Sequence, residues 1–203
     1  GTFVGTLAEV GNVLNFVNKV NPTNFAVSVN KTLDGQPYSG SKFVYTLTGL
    51  ESMDTAKQDT DGNTIKTNST ALVSKKSATP DASGKVEFKD LSLINVGVYR
   101  FKITEALAEG KNASDYKMDT NTWLAEIEFL EGGEVTPPKY IKVKSSDIEG
   151  KTDAQLADYF NNSPSVEKAV FENETTHGSA TVNKKNQTGG NVSDTEFAVI
   201  GRA

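Results

Sequence analysis

Three polar side chains stand where strand alternation places apolar ones. In "FAVSVNK" (25–31) the face carrying Phe25, Val27 and Val29 ends on Lys31. In "VYRFKITEA" (98–106) Tyr99, Phe101 and Ile103 lead to Glu105, with Arg100, Lys102 and Thr104 on the opposite face. In "KAVFENE" (168–174) Ala169 and Phe171 lead to Asn173. Residues two apart share a face of an extended chain, so a lysine, a glutamate and an asparagine each end an apolar face. Buried apart and unpaired, each is strongly destabilising.

Buried together, they can react. A neutral lysine amine attacks the asparagine side-chain amide, an isopeptide bond forms and ammonia leaves. Burial favours the uncharged form of an ionisable group, which supplies both a nucleophilic amine and a carboxyl that can hand on a proton. Such a carboxyl polarises the amide carbonyl, stabilises the tetrahedral intermediate and delivers a proton to the departing nitrogen. An apolar site and these three residue types suffice, with no cofactor and no metal. This is single-turnover self-crosslinking, not an activity on an outside substrate. Taken singly, each residue has an ordinary alternative: Glu105 escaping to solvent at a strand end, Lys31 snorkelling outward, Asn173 in a turn.

The elements that position them are mostly strands. Period-two segments broken by Gly, Pro, Asn or Asp predict strands at 13–17, 25–31, 42–48, 84–89, 97–104, 122–130, 139–144 and 167–173, with two more at 179–184 and 195–200. "LDGQPYSG", "QDTDGN", "TPDASG" and "LEGGE" are turn chemistry. "KTDAQLADYFNN" (151–162) is the exception: Thr152 or Asp153 can cap a short helix with Leu156, Tyr159 and Phe160 on one face. Residues 51–83 form a long polar excursion with weak strand content.

Composition narrows the function classes. The chain has 203 residues, a net charge of −5, no cysteine and one histidine, His177. Disulfides, thiol nucleophiles and cysteine metal sites are therefore excluded, and the acidic balance argues against nucleic acid or an anionic membrane as partner. No apolar run approaches the length of a membrane helix. "DTDGN" (59–63) has half the pattern of a calcium loop, but Lys57 stands where an earlier ligand is needed, so it reads as a turn.

The run "VSVNKTLDG…SGSKFVYTLTG…VGVYRFKITEA…VFENE" resembles the isopeptide-linkage domain of Gram-positive backbone pilins, the FctA-like family, over about residues 20–175. The resemblance implies an all-β, mostly antiparallel Ig-like sandwich with a short helix in a connection. It also implies a covalent bond between first and last strands: Lys31 joined to Asn173, with Glu105 as catalyst. An internal echo points to tandem domains. "VNKKNQTGGNVSDTEFAVIG" is similar to the opening of a collagen-adhesin B-type domain, with Lys184 in the lysine place, and Asn18 in "NFVNK" matches the asparagine of a preceding domain. The expected organisation is a preceding tail or N-terminal extension (1–19), the isopeptide domain (20–175) and the start of a following domain (176–203).

The expected function is structural: a pilus or surface-fibre subunit outside a Gram-positive cell, anchored to the cell wall. Its partners would be neighbouring pilin subunits, joined covalently by a sortase. Lys168 is the candidate acceptor for that polymerisation, with Lys139, Lys142 and Lys144 as rivals; no LPxTG-type sorting signal occurs within these residues. The alternatives are an adhesin module for a host protein or glycan, for which Trp123 and Tyr140 are the available aromatics, and a domain of a secreted enzyme.

Overall fold

Where the described chain alternates with period two it extends, and two facing sheets bury the apolar sides. The computed structural model describes residues 7–10, 13–16, 23–50, 53–58, 64–66, 73, 75–93, 96–130, 132–176 and 188. The strands begin with β1 (Leu7–Val10), β2 (Val13–Phe16), β3 (Thr23–Leu33), β4 (Gln36–Pro37) and β5 (Phe43–Leu50). The excursion after β5 carries three short strands, β6 (Met53–Gln58), β7 (Thr64–Lys66) and β8 (Lys76–Ala78). Then come β9 (Lys85–Leu93), β10 (Gly97–Leu107), β11 (Tyr116–Lys117), β12 (Asn121–Phe129) and β13 (Lys139–Lys144). Helices α1 (Ser145–Ile148) and α2 (Asp153–Asn162) lead to the last described strand, β14 (Val170–Thr175).

One sheet has the order β13-β12-β10-β5-β8, antiparallel throughout. The other has the order β11-β14-β3-β4, with β9 also on β3. Here β3 and β14 run parallel, with Lys31 opposite Phe171 and Leu33 opposite Asn173. The expected all-β Ig-like sandwich with a helical connection is the observed fold. Between the sheets, Val27, Val29, Phe43, Tyr45, Phe88, Phe101, Ile103, Phe129 and Phe171 are fully enclosed.

The β3–β4 turn shows why the chain reverses where it does. Asp34 and Gly35 have φ of 53° and 74°, the left-handed pair of a tight hairpin, which "DG" supplies at low cost. The Asp34 carboxylate then accepts from the Thr175 backbone N–H at 2.7 Å, tying the turn to the end of β14.

Two expectations need correction. Arg100, read as facing away from the core, is 1% exposed. Helix α2, capped by a reciprocal Thr152–Gln155 box, covers the outer face of the first sheet with Leu156, Tyr159 and Phe160. The outward-facing Val98, Arg100 and Leu124 are therefore buried as well. Arg100 tolerates this because its Nε lies 2.9 Å from Glu126 Oε2 and its guanidinium stacks 4.6 Å from the Phe160 ring centre. Trp123 and Tyr140 are not surface aromatics either, being 4% and 3% exposed. Their polar tips cross to the second sheet, Trp123 Nε1 donating to the Val170 carbonyl and Tyr140 Oη to the Ser28 carbonyl.

Candidate functional site

The Lys31 backbone is fixed on both sides. Its N–H donates to the Gly84 carbonyl at 2.7 Å, and its carbonyl accepts from the Tyr38 N–H at 3.0 Å. The side chain continues the Val27–Val29 face into the core, as alternation requires, and Lys31 is 1% exposed.

Glu105 reaches the same point from the other sheet. Lys31 Nζ lies 2.9 Å from Glu105 Oε1, with the two side chains 0% and 1% exposed. Tyr45, the register partner of Glu105, donates its hydroxyl to the same oxygen at 2.7 Å. The Phe43 ring centre is 4.6 Å from Nζ, and the Phe171 ring packs on Tyr45 at 5.7 Å. The pair is close without being saturated. Lys31 Nζ meets Glu105 through Oε1, and among the described residues Glu105 Oε2 has no hydrogen-bond partner.

Burial sets the electrostatics. Loss of hydration pushes the Lys31 amine below its usual value, and attraction to Glu105 offsets this only in part. Burial, then the neighbouring Glu105, pushes the Tyr45 hydroxyl far up, so it stays a protonated donor.

Asn173 is the third member. It is 2% exposed, on the strand beside Lys31 and two positions beyond the residue opposite it. That diagonal separation is within reach of a long side chain. Its Oδ1 accepts from the Asp119 backbone N–H at 2.7 Å, and its Nδ2 donates to Met118 Sδ at 3.4 Å. All three residues singled out by alternation thus enter the core at one end of the sandwich. Sequence reasoning missed Tyr45, Met118 and Asp119. Nothing in the local pattern at 119–121 marked Asp119 or showed what it would touch.

A cleft of about 940 Å³ opens beside this site, lined in part by Glu105, Asp119, Lys102, Thr122, Lys144 and Ser145. Lys168 is exposed just before β14, and Lys139, Lys142 and Lys144 are exposed on β13. Lys142 is partly engaged, 3.8 Å from Glu172 and 5.6 Å from the Trp123 ring centre. Asn18, Lys184, His177 and the strands expected at 179–184 and 195–200 lie outside the described residues.

The family described as FctA, Spy0128-like isopeptide containing domain, matches residues 27–176, a span that holds Lys31, Glu105 and Asn173. The chain belongs to this family. Among solved structures, this FctA chain is similar to the major pilin protein (T-13) from Streptococcus pyogenes. The identity is 15%, with 77% of this chain and 53% of that one covered and a TM-score of 0.37. The FctA chain thus spans about half the length of that pilin. No curated protein sequence matches it.

Proposed function

We propose that this domain is a load-bearing module of a Gram-positive pilus or surface fibre, closed by a self-made isopeptide bond between Lys31 and Asn173. The observation that carries the reading is the enclosed Lys31–Glu105 pair, 2.9 Å apart and shut away from solvent, beside a buried asparagine on the adjoining strand.

The reaction follows from these groups. A proton passes from the Lys31 amine to Glu105, leaving a neutral nucleophile. Nζ attacks the Asn173 amide carbon to give a tetrahedral intermediate. Glu105 returns a proton to Nδ2 and takes the second proton from Nζ. The bond between that carbon and Nδ2 breaks and ammonia departs, leaving an isopeptide with one N–H and the proton on the carboxyl. The Tyr45 hydroxyl holds the carboxyl in place throughout.

The bond suits a mechanical role because of where it lies. Load entering along β3 passes to β14 at residue 31 and leaves through Thr175, so everything between Lys31 and Asn173 is outside the load path. As a closed loop of more than roughly a hundred residues, the linkage adds about 4–5 kcal/mol by analogy with a disulfide. Thiol reductants do not break it.

The wider setting belongs to the same proposal. Residues 20–175 form the isopeptide domain, flanked by the tail of one domain (1–19, with Asn18) and the start of another (176–203, with Lys184). The fibre stands on the cell wall and is built by sortase linkage between pilin subunits, with exposed Lys168 as acceptor. An adhesin reading loses its support, since Trp123 and Tyr140 are spent on the core.

Glu105→Ala and Glu105→Gln test the mechanism. Each should fold while keeping the ammonia that the parent loses, as read by intact mass. A Glu105→Ala protein that loses ammonia and yields the same Lys31–Asn173 linked peptide would show that this carboxyl is not the catalyst.

A further inference from the structure

The electrophile of the proposed reaction is held as tightly as the nucleophile, by a residue outside the Lys–Glu–Asn set. Asp119 N is a donor, so the atom 2.7 Å from it must be the amide oxygen of Asn173. The nitrogen then faces Met118 Sδ, a weak acceptor that gives up little when the nitrogen leaves. The side chain of Asp119 fixes this N–H. Its Oδ1 accepts from the Asn121 backbone N–H at 2.9 Å and from Asn121 Nδ2 at 2.6 Å. Its Oδ2 accepts from the Glu172 N–H at 3.2 Å. Asp119 therefore grips β14 twice, holding the backbone of residue 172 with its carboxylate and the side chain of residue 173 with its main chain.

We propose that the Asp119 backbone N–H is the oxyanion donor of the crosslinking reaction, and that the Asp119 carboxylate is a positioning group that aims it. As Nζ adds to the amide carbon, negative charge gathers on Oδ1, where a fixed N–H already points. Donors pre-aimed at such a charge contribute about 10²–10³ in rate. The inference rests on the Lys31–Asn173 reading.

The test replaces the Met118–Asp119 peptide bond by an ester in the full chain, deleting this N–H and keeping every side chain. Parent and ester proteins are made by cell-free synthesis and sampled over time by intact mass, with circular dichroism reporting the fold. A folded ester protein should lose ammonia about 10²–10³ times more slowly than the parent. Asp119→Ala, which keeps the N–H but releases its turn, should be slowed less, with partial recovery in Asp119→Asn. A folded ester protein that links at the parent rate overturns the inference and leaves the crosslink standing. If the ester does not fold, equal linking rates for Asp119→Ala and the parent overturn it instead. A parent that never loses ammonia removes the underlying reading itself.

Discussion

Tyr45 and Glu105 stand directly opposite each other on β5 and β10, and the Tyr45 hydroxyl donates to Glu105 Oε1 at 2.7 Å. Lys31 approaches that same oxygen, while Oε2 has no hydrogen-bond partner among the described residues. One carboxyl oxygen is thus held by two groups, and the other is left open.

Tyr45→Phe should separate holding from chemistry. The ring still packs on Phe171, but the carboxyl loses a donor, a change of about 1.5–3 kcal/mol where a charged group is involved. Crosslinking should slow without being abolished, and the linked protein should unfold at lower urea. A variant with parent kinetics and an unchanged midpoint would remove Tyr45 from the account.

The lowered Lys31 value makes a prediction about alkaline pH in a protein that cannot link. In Asn173→Ala the amine stays free, and folding depresses its affinity for a proton through burial. Between that depressed value and the ordinary 10.5, the unfolded chain binds more protons than the folded one. Stability should therefore rise with pH through this window and level off above it. Denaturation of Asn173→Ala and of Asn173→Ala/Lys31→Met at a series of alkaline pH values checks this. Identical slopes in the two proteins would contradict a depressed Lys31.

Gly84 controls the Lys31 backbone. Its φ is +80°, and a Cβ there would lie 2.6 Å from the Lys31 carbonyl oxygen. Gly84→Ala forces a strained conformation costing about 1–3 kcal/mol, and the close contact adds to this. The loss should appear in an Asn173→Ala background, where no covalent bond masks it, and linking should slow when Asn173 is restored. A urea midpoint within error of the background protein would show that β3 adjusts freely.

How far all this could be read from the sequence depends on the range of the physics involved. Lys31, Glu105 and Asn173 were legible because the signal is local: two-residue alternation delivers each to the apolar face, whatever lies opposite. Their mutual approach rested on the family resemblance, because the parallel β3–β14 register is a property of the assembled sheet. Tyr45 was hidden for a related reason. It reads as an ordinary core aromatic until β5 is aligned with β10. Asp119 acts through its main chain, which no residue type announces. Arg100 and Trp123 were misplaced because a period-two pattern cannot say that a helix will roof one face, or that an aromatic tip will cross to the other sheet.

The most direct test of the central claim is the intact mass of the folded parent chain, followed by mapping of its proteolytic peptides. The account predicts a mass below that of the sequence by one ammonia, and a branched peptide joining the segment with Lys31 to the segment with Asn173. A chain of full sequence mass, or an ammonia loss that maps to a different pair of residues, would contradict it.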